Sequence, residues 1–133
     1  MSNHQKSIVA RWFEEVWNQD RNETIDEVML PNSVIHDGDA DIRGPEGFKL
    51  FKAALHDQFD DIRVKTHHIV TEGDVTVVRW TSTMRSKQNG QQLQTTGMSL
   101  IRFHDGRVAE AWQNWDRFGL MDQIQKSAAA TAG

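Results

Sequence analysis

The feature that most constrains the fold is a change in the spacing of apolar residues about halfway along the chain. Up to Phe59 the apolar side chains recur every three or four residues, which is typical of helices that bury one face. Beyond Asp61 apolar and polar residues alternate, which is the period of a strand. The sequence therefore predicts an α+β domain in which the helices cover one face of an antiparallel sheet. If the sheet curves around them, its concave side encloses a pocket.

Three helices are predicted before this change, at residues 8–17, at 22–30 and from 45 onward. Asn22 is a favoured N-cap, Pro31 ends the second helix, and Pro45 suits the first turn of the third. Between the last two helices, a short extended piece ends in His36 and Asp37 and then enters a loop rich in Gly and Asp.

The second half of the chain predicts four antiparallel strands connected as a meander. The sequence Asp105-Gly106 is typical of a two-residue type I′ turn, and Gly73-Asp74 makes a second turn. The strands are expected at residues 62–72, 75–86, 91–104 and 107–116. A short helix at about 117–124 follows. We expect a single domain over residues 1–126 and a flexible tail of small residues at 127–133.

Composition narrows the class of function. The chain has 133 residues, a formal net charge of −4 and no cysteine, which excludes thiol catalysis and thiolate metal sites. Scattered Lys and Arg argue against nucleic-acid binding, and no apolar run is long enough to span a membrane. Without a recognisable secretory signal, a cytoplasmic location is expected. The expected partner is a small molecule or a second copy of the chain.

The Asp105-Gly106 turn also predicts which side chains share a face of the sheet. A two-residue turn pairs His104 with Arg107, and regular pairing then places Asp116 opposite Thr95. On this register one face carries Glu110, Trp112, Asn114 and Asp116 together with Thr95, Gly97 and Ser99. The opposite face carries Gln113, Trp115, Met98 and Leu100. Periodicity leaves open which of the two faces lines a pocket.

The first hairpin holds a second group of polar side chains. Pairing through Gly73-Asp74 places His68 opposite Arg79, with Thr81 on the same face. No two histidines have the spacing that a metal site on one strand or one helix needs, so no metal is expected.

Asp116 allows two interpretations. It stands where the last strand gives way to a helix, so its carboxylate is well placed to cap that helix. It also lies among tryptophans, where desolvation favours a usable general acid or base. His36 and Asp37 pose a similar choice between a proton relay and a structural role in the adjoining turn.

The order of several segments resembles the SnoaL-like polyketide cyclase and ester cyclase group of the nuclear transport factor 2-like superfamily. The segments are VWNQ, VIHDG, GPEGFKLF, TEGDVTVVRWTST and IRFHDGRVAEAWQNWDRFGLMDQ, and the resemblance covers residues 8–124. It implies a cone-shaped α+β barrel, with three N-terminal helices packed in the concavity of a curved, mainly antiparallel sheet. It also implies an apolar cavity, dimerisation through the sheet, and no cofactor.

The resemblance implies roles for individual residues. Asp116 takes the place of the general acid/base of an intramolecular aldol ring closure, with His36 and Asp37 as further catalytic candidates. The expected function is a cyclase, isomerase or lyase acting on a small hydrophobic carbonyl compound. The side chains expected to contact the substrate are Trp12, Phe13, Trp17, His68, Arg79, Thr81, Ser99, Trp112 and Asn114.

Three alternatives use the same fold. An epoxide hydrolase would use Arg79 and Asp116 to activate water, with Thr81 where a second acid is expected. A ketosteroid isomerase-like enzyme would use Asp37 as its base. The third alternative is a protein that binds a small apolar molecule without turnover, in which Asp116 acts only as a cap.

Overall fold

A computed structural model describes residues 2–132, with side chains for residues 3–126. Four α-helices pack against a curved six-stranded sheet in which parallel and antiparallel pairs are mixed. This arrangement confirms the predicted α+β class and the position of the helices on one face of the sheet.

The helices are α1 Ser2–Arg11, α2 Asn22–Val28, α3 Gly44–Gln58 and α4 Arg117–Ala132. The first predicted helix is present, but it continues from α1 into a π-helix, Trp12–Asn18. Helix α3 carries its proline in the first turn, as predicted, because the missing N–H of proline costs no hydrogen bond there. Helix α4 extends further than expected, and the side chains of 127–133, where a flexible tail was predicted, lie outside the described residues.

The strands are β1 Met29–Asp37, β2 Ala40–Arg43, β3 Phe59–Glu72, β4 Val75–Ser86, β5 Gln92–His104 and β6 Arg107–Trp115. Their order across the sheet is β2-β1-β6-β5-β4-β3. The predicted meander corresponds to β3–β6. The short β1–β2 hairpin was expected to be partly loop; Gly38, at φ 61°, makes its turn. Strand β1 pairs in parallel with β6, which places His36 and Asp37 beside the end of β6.

Single extra residues interrupt the strand pairing and bend the sheet. In β3 the pairing shifts twice, between Asp60 and Arg63 and again at His67, and in β6 the extra residue is Ala109. A bulge of this kind increases the local twist and moves all later side chains of the strand to the other face. The bulge in β6 therefore determines which of its residues point towards the helices.

The core lies between the helices and the inner face of the sheet. Strands β4 and β5 alternate between buried and exposed residues along most of their length, which is the pattern of a sheet with one covered face. Fully buried side chains from the helices and from this face include Val9, Val16, Ile25, Val28, Phe48 and Val78.

The indole ring of Trp80 lies over Gly97 on the inner face of the sheet, where only a residue without a side chain leaves room for it. The two residues pair directly across β4 and β5. A Cβ atom placed on Gly97 would lie 2.4 Å from the indole ring of Trp80, closer than real atoms approach. Gly97 is needed here because it leaves space for the indole.

We predict that Gly97→Ala lowers the free energy of unfolding by about 1–3 kcal/mol, because the new methyl group forces Trp80 out of its packing. Urea denaturation followed by fluorescence measures this. Gly47→Ala is the control, since a Cβ at Gly47 would meet only ordinary contacts and alanine favours a helix. Equal stability of the two variants would contradict the proposed steric role of Gly97.

Candidate functional site

A cavity of about 130 Å³ lies between the helices and the concave face of the sheet. Its wall is largely apolar and aromatic, and none of its lining residues carries an ionisable side chain. The lining residues from the helical side are Ile8, Val9, Trp12, Phe13, Trp17, Phe51, Leu55 and Leu120. Those from the sheet are Ile35, Phe59, Ile62, Val64, Trp80, Ser82, Met84, Thr95, Ser99, Ile101, Val108, Ala111, Gln113 and Trp115.

The π-helix supplies the aromatic part of the helical wall. In a π-helix residues five apart lie nearly above one another, which brings Trp12 and Trp17 to the same side. Both contact Phe48, with ring centroids 4.6 and 5.8 Å away. Trp12, Phe13 and Trp17 all line the cavity, and their contact with a substrate stays a prediction.

The bulge at Ala109 reverses the predicted face of β6. His104 pairs with Arg107 as expected, but beyond the bulge Ser99 pairs with Gln113 and Gly97 with Trp115. The predicted pairing of Trp112 with Ser99 and of Asn114 with Gly97 is therefore wrong. Gln113 and Trp115 line the cavity.

Trp112 and Asn114 lie on the outer face of the sheet instead. Both are exposed, and they pair with Leu100 and Met98, whose side chains also point outward. A regular register cannot reveal a bulge, because the extra residue depends on how the strands bend around the helices.

The predicted pairing of His68 with Arg79 is confirmed, and the Arg79 Nε donates to His68 Nδ1 at 3.3 Å. Both side chains are exposed on the outer face. Thr81 also faces outward, where its hydroxyl lies 2.7 Å from the His67 ring. These side chains do not line the cavity, so Arg79 and Asp116 do not come together there as an epoxide hydrolase would require.

Asp116 lies at the start of α4 and is exposed. Its Oδ1 accepts a hydrogen bond from the main-chain N–H of Gly119 at 2.8 Å, which is the geometry of a helix N-cap. A Cβ at Gly119 would overlap the Asp116 carboxylate, so the small residue makes this close cap possible. Asp116 is not a lining residue of the cavity. Its catalytic role stays a prediction.

Asp37 is a buried acid that contacts the cavity wall through Trp115, although it is not itself a lining residue. It is 4% exposed, and it follows Ile35 on the inward face of β1, directly beside Gln113 of β6. Its Oδ1 accepts a hydrogen bond from Trp115 Nε1 at 2.9 Å, and Arg117 Nη2 forms a salt bridge with the same oxygen at 2.7 Å. The guanidinium of Arg117 also covers the Trp115 ring at 4.8 Å. A buried carboxylate therefore stands behind one tryptophan of the cavity, with its charge balanced by Arg117.

His36 occupies the outer face of the same strand. Its ring lies between two carboxylates, with Nε2 2.7 Å from Glu110 and Nδ1 2.8 Å from Asp41. It stacks on Trp112 at 5.3 Å, and Arg102 completes the network by donating to Glu110. The structure separates His36 from Asp37 because adjacent strand residues point to opposite faces.

These contacts shift two pKa values in opposite directions. The hydrogen bond to Glu110, and then that to Asp41, raises the pKa of His36 above its ordinary value of 6.5. The same bond from His36 lowers the pKa of Glu110 below its ordinary value of 4.5. The pair is therefore fully charged, and stabilises the fold most, between these two ordinary values.

We predict that the stability difference between the wild type and His36→Gln is larger at about pH 5.5 than at about pH 9. The contribution of His36 is complete below its unfolded pKa and is lost as pH rises through the raised folded pKa. Urea denaturation at both pH values tests this. His104→Gln, at an exposed position beside a turn, is the control. A difference that is equal at both pH values would contradict the charged pair.

Two further kinds of site are absent from the described residues. In that part of the chain no three His, Asp or Glu side chains converge as metal ligands. Over the same residues, no helix is long and apolar enough to cross a membrane.

Sequence reasoning missed Gln113, Trp115 and Trp80 as parts of the site. Their residue types indicated a possible place in a ligand site, since tryptophans often line such sites and a glutamine on a half-buried strand needs a hydrogen-bond partner. The face they occupy could not be predicted, because it depends on the bulge at Ala109.

The family model described as SnoaL-like polyketide cyclase matches residues 7–124. No curated protein matches the sequence.

Several solved structures share the fold. A proposed SnoaL-like polyketide cyclase from Jannaschia sp. CCS1 is 23% identical, with a TM-score of 0.82 and 90% of each chain covered. IdmH, a proposed polyketide cyclase from Streptomyces antibioticus, is 24% identical, with a TM-score of 0.81, covering 90% of this chain and 97% of IdmH. AclR, a proposed hydroxylase from Streptomyces galilaeus, is 21% identical, with a TM-score of 0.81 and coverage of 95% and 98%.

Proposed function

Because the chain belongs to the SnoaL-like polyketide cyclase family, we propose that it is an enzyme acting on a small hydrophobic carbonyl compound. The reaction class is acid/base chemistry next to the carbonyl, as in an aldol cyclase or an isomerase, without a cofactor. The observation that carries this proposal is a buried carboxylate, Asp37, that accepts a hydrogen bond from Trp115 in the wall of an apolar cavity.

Among the three predicted catalytic residues, the geometry favours Asp37. His36 lies on the outer face and Asp116 caps α4, whereas Asp37 points inward beside Gln113. The hydrogen bond from Trp115 and the salt bridge from Arg117 both involve Oδ1, which leaves Oδ2 to accept a proton.

The chemistry follows from this arrangement. Asp37 Oδ2 removes a proton from the carbon next to the carbonyl, and the electron pair of that C–H bond forms an enolate. In a cyclisation, the enolate carbon then attacks a second carbonyl carbon of the same molecule. The new alkoxide takes the proton back from Asp37, so the enzyme returns to its starting state. In an isomerisation, Asp37 returns the proton to a different carbon.

We predict that the wild type accelerates exchange of the methyl protons of acetophenone in D₂O, measured by NMR. Asp37→Asn should lower this rate by about 10²–10⁴-fold, because it removes the base but keeps a side chain of similar size. Asp116→Asn is the matched control and should leave the rate unchanged, since asparagine caps a helix nearly as well.

The outcomes separate the candidate residues. Loss of exchange in Asp116→Asn but not in Asp37→Asn would assign the general base to Asp116 and contradict the role given to Asp37. Binding of acetophenone without any exchange would contradict catalysis and support the second candidate.

The second candidate is a small-molecule-binding protein without turnover. It is favoured by the lack of ionisable side chains in the cavity wall and by the use of the Asp116 carboxylate as a cap. Under this alternative, Asp37 has the structural role of holding Trp115 and Arg117.

We also propose that two copies associate through the outer face of the sheet. Val70, Val77, Leu100, Trp112 and His36 pair in turn across five strands, and they form one row. Most of the apolar members are exposed, and the Trp112 residue is 40% exposed to solvent. The four apolar members, Val70, Val77, Leu100 and Trp112, are contiguous, and an apolar patch on an outer sheet face is typical of an interaction surface.

We expect Leu100→Glu to shift the protein to a monomer, because it places a charge in the centre of this row. Sedimentation velocity measures the change. Leu50→Glu is the control, since Leu50 is an exposed leucine on α3, away from the sheet face. A wild type that sediments as a monomer, or a dimer that survives Leu100→Glu, would contradict the interface.

A further inference from the structure

The polar groups of the cavity wall are few, and their hydrogen bonds show which of them remain for a ligand. Four lining residues have hydroxyl or amide side chains, and they are Ser82, Thr95, Ser99 and Gln113. A polar group in an apolar wall is costly unless it has a partner. The groups whose donors stay free in the described chain are therefore the ones available to a bound molecule.

Ser99 keeps its hydroxyl proton for a ligand. The indole N–H of Trp80 donates to Ser99 Oγ at 3.1 Å, and both residues are buried. An indole can only donate, so Ser99 is the acceptor in this bond. The hydroxyl of Ser99 still has one O–H to donate, and Trp80 restricts where the oxygen sits. Gly97 contributes indirectly to the position of the Ser99 hydroxyl, because it leaves room for the Trp80 indole that donates to it.

Gln113 stands directly opposite Ser99 across the β5–β6 pair. Side chains at directly paired positions are about 4.5–5.5 Å apart at Cβ, so both can reach one ligand atom. Gln113 is half-buried in the cavity wall, and none of the side-chain hydrogen bonds of the described residues uses its amide. Its two N–H groups are free to donate.

The other pair of polar lining residues is less suited to this role. Thr95 donates its hydroxyl proton to the main-chain carbonyl of Asp116 at 3.0 Å, so this donor is already used. Ser82 pairs with Thr95, four residues along β5 from Ser99. Only the Ser99 and Gln113 positions bring two free donors together.

We infer that Ser99 and Gln113 form a carbonyl-binding pair, in which Ser99 Oγ–H and Gln113 Nε2–H donate to the same carbonyl oxygen of the ligand. This inference rests on the proposed function, and it specifies how the ligand is oriented in the cavity and how large it is. The carbonyl oxygen faces β5 and β6, and the apolar part packs between the tryptophans. Two donors on one oxygen also stabilise the negative charge of an enolate.

The volume of the cavity limits the size of the apolar part of the ligand. A cavity of about 130 Å³ is close in size to the roughly 150 Å³ engineered cavities that hold benzene. The cavity therefore has the size of a single ring. The expected ligand class is a compact aryl or alicyclic ketone or aldehyde, rather than a molecule with several fused rings.

Two probes of equal shape test the pair. Acetophenone carries the carbonyl, and α-methylstyrene replaces the carbonyl oxygen by a CH₂ group that cannot accept a hydrogen bond. Dissociation constants for both are measured by calorimetry and by tryptophan fluorescence. We expect the wild type to bind acetophenone more tightly, and Gln113→Leu to weaken acetophenone by about fivefold while leaving α-methylstyrene unchanged or tighter. Ser99→Ala should act in the same direction.

Retained binding of α-methylstyrene shows that a variant is folded and its cavity intact. Gln92→Leu is the matched control, because Gln92 is an exposed glutamine on the same sheet, and it should bind both probes like the wild type. If Gln113→Leu weakens both probes equally, or neither, the carbonyl-binding pair is wrong while the cavity remains a binding site. If the wild type binds neither probe, the proposed function fails together with the pair.

Discussion

The irregular pairing of β5 and β6 governs the composition of the cavity. One extra residue, Ala109, separates the regular pairing at the hairpin turn from the pairing beyond it. Because side chains alternate along a strand, this single residue exchanges the inner and outer faces of the rest of β6. Gln113 and Trp115 enter the cavity as a result, and Trp112 and Asn114 face away from the helices.

Charge is kept out of the cavity but close to it. The lining residues are apolar or neutral, since an unpaired charge in such an environment would be costly. Asp37 is instead buried behind Trp115, where Arg117 balances its charge from the solvent side. This arrangement keeps the cavity wall apolar and leaves a buried carboxylate, the group that the proposed acid/base chemistry uses, in contact with Trp115.

The two faces of the sheet carry different side chains, although they are built from adjacent residues. His36 and Asp37 follow one another in β1, yet one joins a charged network with Glu110 and the other faces the core. The outer network lies beside Trp112 in the row proposed as an interface. Protonation of His36 therefore concerns the proposed interface, which lies on the opposite face of the sheet from the cavity.

The sequence by itself determined the α+β class, the helices and the four-stranded meander, because these depend on periodicity and on local turn chemistry. It also predicted the His68–Arg79 pairing, the aromatic wall at Trp12, Phe13 and Trp17, and the cap interpretation of Asp116 as one of two alternatives. Only the tertiary structure decided which face of β6 lines the cavity. The bulge at Ala109 and the passage of Trp80 over Gly97 arise from bending the sheet around the helices, and local sequence spacing does not encode that bend.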